Sequence, residues 1–354
     1  MTALYILLAI VLLGVLIMVH ELGHFGASRL CGIAVKEFSI GFGPKLIQWK
    51  SRKHETLFTL RPIPLGGYCM FYGDTDDDPK GEKVDDPRNY NKAPVWKRLI
   101  SVVAGPLMNL VLAFVVAIVL MAGYGQLPAT PFVVQVEAGM PAAQAGLAAE
   151  DRFVSVGGKS MTDKPVTAVI DEINRTNDGS PIEMVVEREG EQKTFTVAPV
   201  LDPATGSYRV GVTIQQGVKP MPSGQYVRYA WDACVQSSSA ILQALGKLFT
   251  TGEGLNETAG PIGVVQMVAQ QTQEGGFKIF LNLLVLISIN LGLVNLIPIP
   301  GLDGSRIVFM LLEAIRRKPV SQRIESAVHL CGYVFLLGVM ILFTYKDIAR
   351  LFGA

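Results

Sequence analysis

Apolar residues in this chain gather into long runs, and the stretches between them follow other rhythms. The first run covers residues 4–25 and carries no charge from Leu4 to Val19. A membrane-crossing helix takes roughly 20 mostly apolar residues, so this run predicts a span. Three more are predicted over residues 99–121, 277–297 and 328–343, the second interrupted by Gly105, Pro106 and Asn109 and the last rather short. The alternative for the first run is a cleaved signal peptide. No small-x-small cleavage site follows it, and the next residues are His20 and Glu21, so a retained helix is expected.

The intervening stretches read differently. Phe38-Ser-Ile-Gly-Phe-Gly-Pro44, Thr56-Leu-Phe-Thr-Leu60 and Pro64-Leu-Gly-Gly-Tyr68 predict strands with glycine turns directly after the first helix. From residue 132 to about 214, runs such as Phe132-Val-Val-Gln-Val136, Met184-Val-Val-Glu187 and Thr194-Phe-Thr-Val197 alternate with the turns Val156-Gly-Gly158 and Asn177-Asp-Gly179, which predicts a compact β-rich domain. Between residues 226 and 270, Ile241, Leu242, Leu245 and Leu248 recur at helical spacing.

The resulting fold class is a polytopic α-helical membrane protein with about four transmembrane helices, a membrane-associated β-hairpin or sheet element after the first, and one extracytoplasmic β-rich domain. Its expected parts are a first transmembrane helix (1–25), a cytoplasmic or re-entrant β region (26–96), a second helix (97–122), the β-rich domain (125–217) and an amphipathic helical region (221–276). A third helix (277–298), a cytoplasmic connection (299–327) and a fourth helix (328–350) complete the chain.

Sidedness follows from Lys and Arg, which concentrate on the cytoplasmic side. Lys36, Lys45, Lys50, Arg61, Lys92, Lys97 and Arg98 are among the basic residues between the first two spans, and Arg306, Arg316, Arg317, Lys318 and Arg323 lie between the last two. Both connections are therefore expected in the cytoplasm and the β-rich segment outside.

Composition agrees with a membrane protein: 50% of the residues are hydrophobic and only 17% charged. A net charge of +1 without a long basic run leaves no electrostatic footprint for nucleic acid, which is excluded as a partner. Cys31, Cys69, Cys234 and Cys331 have neither CxxC spacing nor a disulfide rhythm and read as isolated packing thiols.

The chemistry is concentrated in His20-Glu21-Leu22-Gly23-His24. Positions i and i+4 share a helix face, so both imidazoles can hold one zinc while Glu21 reaches a water activated there. Chance HExxH pentapeptides occur on soluble helices, but ionisable residues at the end of a lipid-length apolar run are expensive and therefore functional candidates. A catalytic zinc usually takes three protein ligands. In Asn295-Leu-Ile-Pro-Ile-Pro-Gly-Leu-Asp303-Gly304 two prolines break the helix, and irregular backbone at membrane depth is tolerable where it lines a site. Asp303 is the candidate third ligand and His329 its rival. His54 lies among charges and is expected at the surface.

These residues resemble the site-2 protease family of intramembrane metalloproteases, in its bacterial branch that regulates the sigma-E response. The likeness rests on HELGH in the first span, Gly105-Pro-Leu-Met-Asn109 in the second, Asn295 to Gly304 after the third, and the order of four spans with one insert. Ala142-Ala-Gln-Ala-Gly-Leu147, Asp151-Arg152 and the Val156-Gly-Gly158 turn make the insert similar to a PDZ domain attached to bacterial proteases. Some family members carry two such domains, and this chain has room for one.

The resemblance implies a zinc metalloendopeptidase with Zn2+ on His20, His24 and Asp303 and Glu21 as base. It implies that the β element carrying Gly41, Phe42, Gly43, Gly66 and Gly67 pairs with an extended substrate, with Asn109 as a further hydrogen-bonding group or, alternatively, a helix-helix contact. The expected substrate is a single-span membrane protein, such as a trimmed anti-sigma factor or a signal-peptide remnant. The lipid bilayer is the medium, and a peptide or trimmed substrate end is the expected guest of the PDZ-like domain. The expected location is a bacterial cytoplasmic (inner) membrane, with the zinc near the cytoplasmic side. Gly260-Pro-Ile-Gly263 is expected only to bend the chain before a surface helix. A metal transporter, which needs no glutamate between its histidines, and a catalytically inert PDZ scaffold are the rival readings.

Overall fold

A computed structural model of the chain describes residues 2–51, 55–73, 87–175, 179–201, 208–254 and 259–351. His54 and the first two residues of the 177–179 turn lie outside the described residues. The chain forms two compact units, one of residues 1–120 with 227–354 and one of residues 121–226.

The first unit is built on helices. Helix α1 (Thr2–Leu30) continues past Phe25, where the first span was expected to end. Strands β1 (Val35–Phe42), β2 (Ile47–Lys50), β3 (Leu57–Leu60) and β4 (Ile63–Phe71) follow. They form one sheet in the order β2-β3-β1-β4, with β1 parallel to β3, so the element is a mixed sheet and not a simple hairpin. Helix α2 (Val95–Tyr124) keeps Pro106 inside it; the missing N–H deprives the Val102 carbonyl of its helical donor.

The second unit opens with β5 (Gln126–Val136). Then come α3 (Pro141–Ala145), β6 (Arg152–Val156), β7 (Lys159–Ser160), α4 (Val166–Arg175), β8 (Ile182–Arg188), β9 (Glu191–Val197), β10 (Val200–Leu201), β11 (Tyr208–Arg209) and β12 (Val212–Pro220). The main sheet runs β12-β5-β6-β8-β9, with β7 paired to β6. Inward residues of alternate positions, among them Val133, Phe153, Val156, Met184 and Val186, make an apolar core sealed on one face by Val169 and Ile173 of α4.

Back in the first unit, α5 (Tyr226–Thr251) precedes α6 (Pro261–Leu296), α7 (Asp303–Arg316) and α8 (Gln322–Leu351). α6 is broken at Gly276, whose φ of 67° is non-helical, so two helical segments meet at the expected boundary between residues 276 and 277. One stretch differs from expectation. The expected 299–327 connection contains helix α7. Gly260-Pro-Ile-Gly263 starts α6, where Asp347 of α8 accepts hydrogen bonds from the Gly260 and Gly263 amides at 3.1 and 2.7 Å. A Cβ at Gly263 would stand 2.7 Å from that carboxylate, so the glycines admit a cap borrowed from another helix.

Four helices, α1, α2, α6 and α8, are long and apolar enough to cross a membrane. α1 packs Ala9, Leu12 and Leu16 against Val268, Leu283 and Leu284 of α6. α8 turns most of its apolar side chains outward, with Val334 and Phe335 64% and 62% exposed, a surface that lipid can cover.

Candidate metal centre

His20 and His24 lie one turn apart on the buried face of α1, 8% and 7% exposed. Asp303 arrives from the first position of α7, after a break that its sequence explains. The prolines at 298 and 300 end α6, Gly301 adopts φ +95°, and the Leu302 amide bonds back to the Ile299 carbonyl at 3.1 Å. Gly304 is pressed so closely to the Ile297 carbonyl that a Cβ there would stand 2.1 Å from its oxygen. The Asp-Gly pair therefore tucks the start of α7 beneath the end of α6.

Three ligand-type atoms converge. Asp303 Oδ2 lies 3.1 Å from His20 Nε2 and 3.3 Å from His24 Nε2, and the two ring nitrogens are 3.2 Å apart. Zinc bonds of about 2.0–2.1 Å in a tetrahedral arrangement space their ligand atoms about 3.3–3.4 Å apart. The triangle has the size that zinc requires. Its chemistry fits as well: His24 Nδ1 sits 2.9 Å from the Ser101 carbonyl oxygen, which can only accept, so in the neutral ring Nε2 presents a lone pair to the Asp303 carboxylate. Two electron-rich atoms at that distance need a cation between them. His329, the rival ligand, instead lies against Ser305, its Nδ1 3.4 Å from the hydroxyl. Among the described residues, no other histidine, cysteine or carboxylate joins the cluster.

Glu21 sits beside this triangle and against β4. A Cβ on Gly67 would come 3.2 Å from Glu21 Cγ and 2.8 Å from the Ser39 carbonyl, so only glycine lets the strand pass this close. Among the described residues β4 pairs only with β1, leaving its other edge open. The Phe42 ring lies over Gly66, and Gly41 (φ +87°) brings the chain to the turn that begins β4. Gly43 is tied there too: its carbonyl accepts from Arg61 at 2.6 Å. Arg61, Tyr68 and Thr59 all donate to Glu37 Oε1, at 2.9, 2.9 and 2.8 Å, so a buried network holds the sheet in shape.

Asn109 is apart from that group. It is fully buried on α2, its amide 3.2 Å from His20 Nδ1. Ser101, Gly105 and Asn109 form an i, i+4, i+8 stripe facing the two histidines, and a Cβ on Gly105 would stand 2.2 Å from His24 Nε2. Gly23 on α1 likewise admits the Ala104 carbonyl. Sequence reading missed Ser101, whose contribution is a backbone oxygen and leaves no residue-type signal. The four-residue spacing around Gly105 was the available clue. Also unforeseen is the buried pair of Arg98 on α2 and Glu313 on α7, 2.5 Å apart, which anchors the helix that carries Asp303.

Comparison with known proteins gives the family of the chain. The model of "Peptidase family M50" matches residues 8–339. The zinc metalloprotease RasP of Oceanobacillus iheyensis is 30% identical over 97% of this chain and 98% of its own length. Proteins of Mesorhizobium japonicum and Nostoc sp., both named as candidate zinc metalloproteases, are each 35% identical, over 95% and 98% of this chain and 96% of their own lengths. Among solved structures, the PDZ domain of an SdrC-like protein from Listeria monocytogenes is similar to 24% of this chain and 86% of its own, at 21% identity and a TM-score of 0.22. With a family match across nearly the whole chain, and relatives covered almost end to end, this protein belongs to peptidase family M50, the site-2 proteases.

Proposed function

We propose that this zinc metalloendopeptidase hydrolyses a peptide bond within a transmembrane segment of a single-span protein, and that His20, His24 and Asp303 hold the metal. The observation that carries the reading is a zinc-sized triangle of ligand-type atoms, two of them on a helix of bilayer length, with Glu21 of that helix against β4. Bound zinc supplies a Lewis acid that activates water and polarises the scissile carbonyl. Glu21 accepts the proton of the attacking water and returns it to the leaving amine. A helical substrate hides its peptide bonds in its own hydrogen bonds, so it must unwind first; the edge of β4 away from β1, with Gly66 and Gly67 and flanked by Gly41, Phe42 and Gly43, offers replacement partners.

The Lys and Arg distribution supports a cytoplasmic sheet and zinc site in a bacterial inner membrane, with residues 121–226 outside as a PDZ-like docking or filtering unit for a trimmed substrate end. The purified protein in detergent should cut a model transmembrane peptide, and Glu21→Gln should abolish cutting while zinc is retained. Cleavage that survives Glu21→Gln rejects the assignment. For sidedness, Lys92→Cys should label only from the cytoplasm and Glu191→Cys only from outside, in a background without native cysteines; the reverse pattern inverts the orientation.

A further inference from the structure

Asn109 carries one of the few buried polar atoms without a hydrogen-bond partner among the described residues, its carbonyl oxygen Oδ1, while its Nδ2 points at His20 Nδ1 from 3.2 Å. With the amide nitrogen in that place, the contact requires His20 to accept at Nδ1 and carry its proton on Nε2. Nε2 is the atom aimed at His24 Nε2 and Asp303 Oδ2, and a ligand nitrogen must present a lone pair. The proton therefore belongs on Nδ1, where it would face an N–H donor. Rotating the amide by half a turn removes the meeting of two donors: Oδ1 accepts from His20 Nδ1–H.

The other histidine has the same arrangement. His24 Nδ1 donates to the Ser101 carbonyl, from the same helix and the same stripe. Asn109 is itself fixed from behind, because Ser288 of α6 donates to its backbone carbonyl at 2.7 Å, and Gly292 lets α6 approach Pro106. We infer that Asn109 is a positioning residue of the metal centre, its side-chain oxygen holding His20 in the Nε2-coordinating tautomer, and not a substrate contact. Outer-shell acceptors of this kind orient a ligand imidazole and raise its basicity.

The inference rests on zinc binding by His20, His24 and Asp303, and chelator competition separates the two. Asn109→Leu keeps the shape and removes the acceptor, and it should weaken zinc by about 10- to 100-fold. Asn109→Asp keeps an acceptor at the same place and should hold zinc within about threefold of the wild type, or tighter. A role in helix packing alone would lower the melting temperature of both metal-free variants without moving the zinc affinity of the folded protein. Equal zinc binding by wild type and Asn109→Leu, or equal weakening by Leu and Asp, overturns the inference; a wild-type chain that binds no zinc overturns the centre itself. Should Asn109→Leu not fold, the wild type decides: histidine-selective 15N NMR of the zinc-loaded protein should give His20 a slowly exchanging Nδ1 proton, and a bare or rapidly exchanging Nδ1 rejects the assignment.

Discussion

Two aspartates, one in each unit, are held among protein groups for opposite reasons. Asp151 of the β-rich unit is completely enclosed, and the protein matches it: Arg188 donates to both carboxylate oxygens at 2.6 and 2.7 Å, and the Ala148 amide adds a bond at 2.8 Å. Asp303 of the helical unit meets two imidazole nitrogens, and the protein offers Oδ2 no donor of its own among the described residues. A buried charge answered by a fixed partner is part of the scaffold. One aimed at lone pairs is complete only with a cation, which is how a binding centre differs from a stabilising contact of the same residue type.

The largest effects should fall on the unmatched cluster. His20→Ala, His24→Ala or Asp303→Ala removes a proposed ligand, and zinc affinity should fall by more than the roughly 10- to 100-fold that losing an outer-shell partner costs. Proteolysis should disappear with it. Glu21→Gln should leave metal content unchanged and lower turnover by about 10²- to 10⁴-fold, the usual worth of a positioned base. Metal analysis of each purified variant beside its cleavage rate is the measurement. Stoichiometric zinc in the double-histidine variant would dissolve the contrast between the aspartates.

The matched aspartate should behave in the reverse way. Asp151→Ala strands a guanidinium that is half enclosed, and breaking a buried pair costs about 3–5 kcal/mol. Amide hydrogen exchange over residues 182–197 in the intact chain should accelerate strongly, since β8 carries Arg188. Zinc content should stay at the wild-type level. Loss of zinc in this variant would mean that the two units are energetically coupled.

How much of this the sequence disclosed depends on the distance over which each signal acts. HExxH is local: two histidines four apart and a lipid-length run declare both the helix and its buried face. Asp303 was reachable because its surrounding prolines and glycines announce a broken helix. The turn at Val156-Gly-Gly158 and the strands around it were legible from alternation. The order β2-β3-β1-β4 was not, because parallel pairing of β1 with β3 is decided by tertiary packing against α1. Nor was the role of Gly260-Pro-Ile-Gly263, whose partner Asp347 lies 84 to 87 residues away on α8. That α2 turns Asn109 towards His20 of α1 was not legible either, because its apolar neighbours do not mark that face.

A smaller effect joins scaffold to centre inside the helical unit. Arg98 and Glu313 form a matched pair, side chains 11% and 18% exposed, and Arg98 also donates to the Ala93 carbonyl and lies over the Tyr90 ring. The pair holds the last turn of α7, so its loss should let the helix shift and Asp303 drift at its head. Glu313→Gln should weaken zinc by roughly 3- to 30-fold, the range in which packed networks bias a distant site. Reversal of both charges, Arg98→Glu with Glu313→Arg, should recover part of it. An unaltered zinc affinity in Glu313→Gln would show that the Ile297–Gly304 turn positions Asp303 unaided.

The smallest effect lies in the β-rich unit and concerns pH. Glu172 is buried on α4 between Lys159 and Arg175, each 2.6 Å from one of its oxygens. Burial alone would push its carboxyl up, but the hydrogen bonds from Lys159 and Arg175 and their positive charges hold it below the ordinary 4.5. A depressed folded value means that the folded state favours the ionised form. The stabilisation is therefore complete above about 4.5 and fades as pH falls through the lower folded value. Because Lys159 and Arg175 are largely exposed, the contribution should be about 1 kcal/mol or less. Hydrogen exchange of α4 and β6 in the wild type should quicken on acidification across that window, whereas Glu172→Gln should start faster and respond less. The metal ligands should be indifferent to the substitution at neutral pH. An unchanged acid response in Glu172→Gln would leave Asp151 as the one buried, matched carboxylate that matters to this unit among the described residues, and would sharpen the contrast with Asp303 to a single pair of residues.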